Sequence, residues 1–252
     1  MRLLSSFTKT FAVLSGTFVL CVSSSLVFAQ PLIWQESNYQ PPSGIGSPGR
    51  TEPGGTRGCN VKPQLTPLVP TVPSSSEDEA IRFGVTTQAK PTVLIHVASL
   101  DNSLCPLGMM ELEVTNQKGE LILVREITPP SDSGILPVVL ETGETPLVEG
   151  TNYKWTVYIY DRNNEFLGET GAWIRPVAVS PTLRTTLRNP SLHEQAREFA
   201  AAGVWYDAIA ALAQLHQESP SPEVQTDWQT LLKAVQLDKL AQEKVFQRER
   251  NL

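Results

Sequence analysis

Residues 147–160 read Leu-Val-Glu-Gly-Thr-Asn-Tyr-Lys-Trp-Thr-Val-Tyr-Ile-Tyr, and this stretch decides the predicted fold. Apolar side chains alternate with polar or amphipathic ones from Tyr153 to Tyr160, as in a strand that rests one face on a core. The spacing Leu147-x-x-Gly150-x-x-Tyr153 is typical of a tyrosine corner, in which a Tyr hydroxyl bonds to the backbone of the loop entering a sandwich strand. The stretch therefore predicts a β-sandwich, with Tyr153, Trp155, Val157 and Ile159 facing inward.

Six further short segments share this alternation, separated by turn signals such as Lys118-Gly119 and Asn163-Asn164. Seven short strands with this spacing predict an immunoglobulin-like antiparallel β-sandwich over residues 80–180. The predicted strands are Ile81–Thr86, Thr92–Ala98, Met109–Thr115, Leu121–Ile127, Ile135–Leu140, Asn152–Tyr160 and Ala172–Val179.

After Pro181 the apolar residues recur at helical spacing. Ser191-Leu-His-Glu194 fits a capping box, so a helix should begin there and present one apolar face as far as Leu215. Ser221 and Pro222 supply an N-cap and a first-position proline for a second helix. That helix should turn Val224, Trp228, Leu231 and Val235 inward, and Asp238 is a candidate cap for a third helix running towards Gln247.

The spacing Gly203-x-Trp205-Tyr206-x-Ala208 resembles a tetratricopeptide-type helical hairpin. One hairpin is too short to bury a solenoid core, so it should pack on the sandwich or on a partner. We expect Trp205 and Trp228 to serve the core rather than an exposed protein-binding face. The predicted fold is α+β and mainly β: the sandwich, followed by a C-terminal helical segment over residues 190–249.

Residues 1–29 have the three parts of an export signal. These are the basic residues Arg2 and Lys9, an apolar run that ends at Phe28, and a Val27-Phe28-Ala29 sequence that fits a cleavage site after Ala29. The alternative is an uncleaved anchor. Removing Arg2 and Lys9 from the 20 basic residues leaves 18 against 26 acidic residues, a net charge of −8. Such a chain should repel nucleic acid. The sequence predicts an exported protein, periplasmic or extracellular, with no membrane span after cleavage.

Cleavage would leave Cys59 and Cys105 as the remaining cysteines, a candidate disulfide in an oxidising compartment. Closing that loop would contribute about 4 kcal/mol in the chain-entropy model. The alternative is two unrelated thiols.

Residues 30–79 are rich in Pro, Gly and Ser, which predicts an arm or linker. Gly44-x-Gly46-x-x-Gly49 fits the dinucleotide fingerprint, but prolines surround it and no strand precedes it, so no cofactor is expected. Arg50 and Arg57, among glycines, are candidates for a small anion-binding nest. The alternative is a solvated loop.

Several segments together resemble a known family, the exported cyanobacterial domain of unknown function 928. They are the glycine-arginine segment at 49–58, Pro91-Thr92, Gly150-x-x-Tyr153-x-Trp155, Gly171-Ala-Trp-Ile-Arg175, Gly203-Val-Trp-Tyr-Asp-Ala208 and Trp228-x-x-Leu231-Leu232. Pro53 stands where the family usually has another glycine. The resemblance covers the chain beyond residue 29 almost end to end, and it implies no activity because the family's function is uncharacterised.

The sequence carries no recognisable catalytic or metal motif. His96, His193 and His216 are the three histidines, and none has a partner at metal-ligand spacing. Two carboxylate pairs, Asp161 with Glu165 and Glu111 with Glu113, are the candidates for glycoside hydrolysis, although solvated strand-edge acids explain them more simply.

The first functional hypothesis is therefore an exported, non-enzymatic binding or structural module that contacts an envelope protein or glycan. Tyr158, Tyr160 and Trp173 are its candidate contact rings, because Tyr and Trp combine apolar area with a polar group. The alternative is a cell-wall or polysaccharide hydrolase, which should show convergent acids in a cleft where a binder shows a flatter patch. The oligomeric state is left open.

Overall fold

A computed structural model describes residues 31–36, 64–72, 81–98, 107–141 and 146–248, all within the compact unit Pro31–Leu252. The strands described there are β1 (Leu65–Pro67), β2 (Thr71–Val72), β3 (Ile81–Thr86), β4 (Thr92–Val97), β5 (Leu107–Asn116), β6 (Leu121–Ile127), β7 (Gly134–Val139), β8 (Tyr153–Asp161) and β9 (Phe166–Pro176). The helices are α1 (Pro181–Thr186), α2 (Leu192–Ala201), α3 (Trp205–Glu218) and α4 (Pro222–Ala234), followed by a 3-10 turn at Asp238–Leu240.

The strands form two sheets, with orders β1-β4-β7 and β2-β3-β9-β8-β5-β6. Neighbouring strands are antiparallel except for β3 and β9, which run parallel. Helix α3 packs against β3 and β4, and consecutive residues of β4 from Val93 to Val97 are all buried. The small sheet therefore has cover on both faces. The predicted sandwich followed by C-terminal helices is confirmed.

The tyrosine corner at the start of β8 is also confirmed. The Tyr153 hydroxyl accepts a hydrogen bond from the backbone N–H of Val148 at 3.0 Å. Gly150 makes the turn with φ +79°, a conformation that a side chain would disfavour. The four residues predicted to face inward are all buried, so β8 lies at the centre of the core as its alternation indicates.

All seven predicted strands are present, but two short strands and the start of β9 were not foreseen. β1 and β2 come from the segment predicted to be an arm, and Leu65, Leu68 and Val69 are in the core. Residues 64–72 are thus part of the sandwich. β1 and β2 have only three and two residues, which is too short for an alternation of apolar and polar residues to be recognised. Pro67 is tolerated because β1 is an edge strand, where proline need not remove a hydrogen bond between strands.

The helical segment follows the predicted start signals but not the predicted lengths. Ser191 and Glu194 form the reciprocal capping box, and Ser221 caps α4 by accepting from the backbone N–H of Val224. The long apolar face is broken at Gly203, whose φ of +72° turns the chain between α2 and α3. The predicted third helix is wrong, since Asp238 starts only a 3-10 turn.

Beyond that turn the chain joins the small sheet. The backbone carbonyl of Lys244 accepts the N–H of Ile135 at 2.7 Å, and the N–H of Phe246 donates to the carbonyl of Ile135 at 2.8 Å. This parallel bridge, centred on Val245, extends the free edge of β7. An extended segment that completes a sheet edge replaces the predicted helix.

Candidate functional site

The sequence-predicted contact rings Tyr158 and Tyr160 lie half-buried on the outer side of the six-stranded sheet. Cross-strand register places side chains of β6, β5, β8 and β9 beside them on the same side, because directly opposed residues share a face. We call this surface the open face. It is formed by Glu111, Glu113, Leu121, Val124, Glu126, Tyr158, Tyr160, Phe166 and Glu169.

The open face exposes large apolar groups beside its two tyrosines. Leu121 is 57% exposed, Val124 is 47% exposed and Phe166 is 39% exposed. Phe166 lies 6.5 Å from Tyr158 and 6.0 Å from Tyr160, at interplanar angles of 54° and 65°. The three rings form a tilted cluster rather than a flat platform.

Carboxylates cross the open face in one row. Glu126, Glu111, Tyr158 and Glu169 are directly opposed on four successive strands, and Glu113 lies one step along β5. Directly opposed like charges destabilise a sheet. Burial raises the pKa of Tyr158 to about 12, helped by the charges of Glu113 and Glu169 and by its hydrogen bond to Glu113. The face therefore concentrates negative charge around a neutral phenol.

Trp173 is not an available contact ring. It is 7% exposed and packs with Ile81, Phe83 and Val85 in a small second core. Strand parity places it on the same side as Tyr158, but the parallel pairing with β3 sets Phe83 directly beside it. The tryptophan is therefore covered where the tyrosines are not. The other candidate residues, Arg50, Arg57, Cys59 and Cys105, lie outside the described residues.

One candidate carboxylate pair lies at the β8–β9 turn and the other on the open face. Asp161 accepts the backbone N–H of Asn163 at 2.7 Å and that of Glu165 at 2.8 Å, which shapes the β8–β9 turn. Those hydrogen bonds lower the pKa of Asp161, so it stays ionised as a turn-forming group. Glu111 belongs to the row of opposed carboxylates on the open face, and Glu113 is the next residue of β5 on that face.

The helices dock on the sandwich through three consecutive residues at the start of α3, of which the sequence places Trp205 and Tyr206 in the core and assigns no role to Asp207. Trp205 donates its indole N–H to the carbonyl of Leu68 at 2.8 Å. The Tyr206 hydroxyl accepts from the Trp155 indole at 2.9 Å and donates to the carbonyl of Trp173 at 3.1 Å. Trp205 and Trp228 are 1% and 0% exposed, so the prediction that both serve the core is confirmed.

Asp207 completes this docking contact. Its carboxylate accepts from the hydroxyl of Thr86 at 2.5 Å, from the backbone N–H of Thr87 at 2.9 Å and from the Thr87 hydroxyl. Burial raises the pKa of Asp207 although these donors act in the opposite direction. The carboxylate also lines a cleft beside α3, which no local sequence signal indicated because its walls come from distant segments.

Among the described residues, no group of three or more His, Cys, Asp or Glu side chains is arranged to hold a metal ion. His193 bonds Asp227 at 2.7 Å, and Arg197 bonds the same oxygen at 2.6 Å. This contact ties α2 to α4. In the same part of the chain, no helix is both long and apolar enough to cross a bilayer.

The strand pairing and the docked helices define a β-sandwich protein with a C-terminal helical hairpin. The chain belongs to the family described as Domain of Unknown Function (DUF928), which matches residues 52–245. No curated protein matches the chain significantly.

Three solved structures are similar in part. The fibronectin(III)-like modules of Clostridium thermocellum CbhA share 16% identity over 45% of this chain and 97% of theirs, with a TM-score of 0.24. Astrotactin-2, a vertebrate perforin-like membrane protein, shares 13% over 69% of this chain and 28% of its own, with a TM-score of 0.31. Domains d3–d4 of rat CD45 share 13% over 60% of this chain and 83% of theirs, with a TM-score of 0.22. At such low scores, the fold assignment rests on the strand pairing itself.

Proposed function

We propose that this chain is an exported, non-enzymatic binding module of a cyanobacterial cell envelope, and that its open face contacts a protein partner. In this proposal residues 1–29 are removed as a signal peptide, and Cys59 and Cys105 form a disulfide in the oxidising compartment. The mature surface carries a net charge of −8 by composition, which disfavours nucleic acid as the partner.

The observation that carries the proposal is the mixture of exposed apolar side chains and opposed carboxylates on one sheet face. Leu121, Val124 and Phe166 are exposed on the same side of the sheet. Contiguous apolar exposure of this kind marks interaction sites. Glu111 opposite Glu126 is unfavourable in the free protein, and a cationic partner would relieve that repulsion. The matching partner surface is therefore one that places Lys or Arg among apolar residues.

A protein fits this surface better than a glycan does. Sugar rings stack on exposed, flat aromatic surfaces, whereas Phe166 is tilted by 54° against Tyr158 and by 65° against Tyr160. The exposed aliphatic groups of β6 add area that suits a partner's side chains. A binding role is favoured over hydrolysis because Asp161 is held in a turn by backbone N–H groups, and Glu111 and Glu113 lie on one strand instead of on opposite walls of a cleft.

Site-specific photo-crosslinking in the producing cell tests the proposal. A photoreactive phenylalanine analogue replaces Tyr158 in one version of the chain and the exposed Gln229 of α4 in a matched control. We expect an adduct with one envelope protein from position 158 and none from position 229.

The charge requirement gives a second comparison in the same assay. Glu111→Gln combined with Glu126→Gln should weaken the adduct, while Asp238→Asn, an exposed acid elsewhere, should not. Adducts only with a second copy of the chain, or adduct yields that ignore the two glutamates, would contradict the proposed partner.

A further inference from the structure

Strand β6 ends the six-stranded sheet, and in the part of the chain that the structure describes it has β5 as its one strand neighbour. A bulge lies near its start, and from Leu123 to Ile127 its pairing with β5 is regular. Proteins commonly protect such an edge with proline, with lysine or with a very short strand. β6 has seven residues and contains neither proline nor lysine. Its backbone therefore presents an edge to which a further strand can be added.

The exposed side chains of β6 are mainly apolar. Leu121, Ile122 and Val124 are large residues that stay exposed, whereas Arg125 is half-buried and Glu126 is the one exposed charge of this strand. A long edge with exposed apolar residues is a place where another chain pairs. An added strand would cover these side chains and also supply hydrogen bonds to the edge backbone.

The charge of the open face selects the chemistry of that strand. Glu126 lies directly opposite Glu111, so the row of carboxylates reaches the edge of the sheet. Val124, two residues away, lies on the same face. Alternate residues of a strand share a face, and opposite charges directly across two strands stabilise their pairing. The strand that fits therefore places Lys or Arg opposite Glu126 and an apolar residue opposite Val124.

A second copy of this chain fits the edge less well. Two β6 strands that pair antiparallel about a two-fold axis normal to the sheet keep their open faces on the same side. The two carboxylate rows would then share one continuous surface, and both chains carry a net negative charge. Charge thus favours a basic partner over self-association.

We propose that the protein partner adds an extended segment to β6, in which Lys or Arg alternates with apolar residues on the open-face side. This inference rests on the proposed function, since the added strand belongs to the partner that contacts the open face. It specifies backbone pairing at the sheet edge in addition to side-chain contact on the face.

The test is a ¹H–¹⁵N NMR titration of the full chain, as exported, with a synthetic strand. The probe is the heptapeptide acetyl-Thr-Lys-Thr-Val-Thr-Lys-Thr-amide, which presents Lys and Val on one face in either direction along β6. Two further versions carry N-methyl groups on the odd or on the even residues, so each keeps the side chains but loses the backbone donors of one edge.

We expect the probe to shift the backbone amide signals of Leu123 to Ile127 and to leave those of Thr71 and Val72 unchanged. The latter two form β2, the strand at the other end of the sheet. One of the two N-methylated versions should lose binding, because strand addition uses the donors of one peptide edge.

A charge reversal checks the choice of partner. Glu126→Lys should weaken binding of the probe about fivefold, because the opposed pair changes from opposite to like charge. The same variant should strengthen binding of the acidic counterpart, acetyl-Thr-Glu-Thr-Val-Thr-Glu-Thr-amide. Asp238→Lys reverses an exposed charge outside the sheet and should change neither affinity.

Equal binding of all three backbone versions would overturn the strand addition and leave the proposed function standing, since side-chain contact alone would explain it. Absence of shifts in β6 would also overturn it. So would β6 signals that shift with protein concentration alone, because a second copy would then occupy the edge. Failure of the crosslink from position 158 would instead contradict the proposed function.

Discussion

Tyr206→Phe removes one oxygen atom from the contact between helices and sandwich. That hydroxyl links the Trp155 indole to the carbonyl of Trp173, and Tyr206 is 1% exposed. Phenylalanine keeps the packing but leaves the buried indole N–H of Trp155 unpaired, which costs about 1–3 kcal/mol. Loss of the hydrogen bond to the carbonyl of Trp173 costs about 1 kcal/mol more. We expect the free energy of unfolding to fall by about 2–4 kcal/mol in total.

Urea unfolding of the full chain, read by both tryptophan fluorescence and far-UV circular dichroism, measures this change. Both probes should give one coincident transition with an unchanged m-value, because the helices and the sandwich share a core. Tyr160→Phe deletes the same atom on the open face and should change stability by less than about 0.5 kcal/mol. An equally small effect of Tyr206→Phe, or separate transitions for the two probes, would refute the role assigned to this hydroxyl.

Three further predictions concern the same contact and the open face. Gly84→Ala should destabilise the chain by about 1–3 kcal/mol in the urea assay, because its Cβ would lie 2.9 Å from Cε2 of Tyr206; full stability would show that the ring moves freely. Tyr158 should titrate near pH 12 by ¹³C NMR, and Glu113→Gln should move the midpoint towards 10 because the negative charge beside the phenol is lost. An unchanged midpoint would show that Glu113 does not raise the pKa of Tyr158. Burial raises the pKa of Asp207 in the folded state above its ordinary value of 3.8, so the folded protein holds this proton more tightly than the unfolded chain. The free energy of unfolding of the wild type should therefore fall relative to that of Asp207→Asn as the pH rises above 3.8. A difference between the two proteins that does not change with pH would contradict this.

The sequence predicts the sandwich because its signals are local. The alternation of apolar and polar residues along β8 indicates which side chains face the core. The tyrosine corner involves only Val148, Gly150 and Tyr153, which lie within six residues. The capping box at Ser191 is equally local. Each of these features is fixed by a few consecutive side chains, so spacing alone identifies it.

The remaining features depend on contacts between distant segments. Spacing places Tyr206 on the inner face of a helix, but its hydroxyl partners are 51 and 33 residues away. Trp173 has the parity of an outward residue but is buried in a cluster with Ile81, Phe83 and Val85 of the parallel neighbour β3. The cleft joins Gln88 to Gln217 across the fold. Periodic patterns in the sequence do not indicate contacts between such distant segments.

The open face as a binding surface is tested most directly by one double variant, Tyr158→Ser with Tyr160→Ser. Both side chains are half-buried on the solvent side of the sheet, and Phe166 is their ring neighbour. We predict that the crosslinked envelope partner binds this variant at least tenfold more weakly in a purified titration, since aromatic residues dominate interface energies. The melting temperature should stay nearly unchanged. Unaltered affinity, or a large drop in melting temperature that places the two rings in the core, would contradict the account.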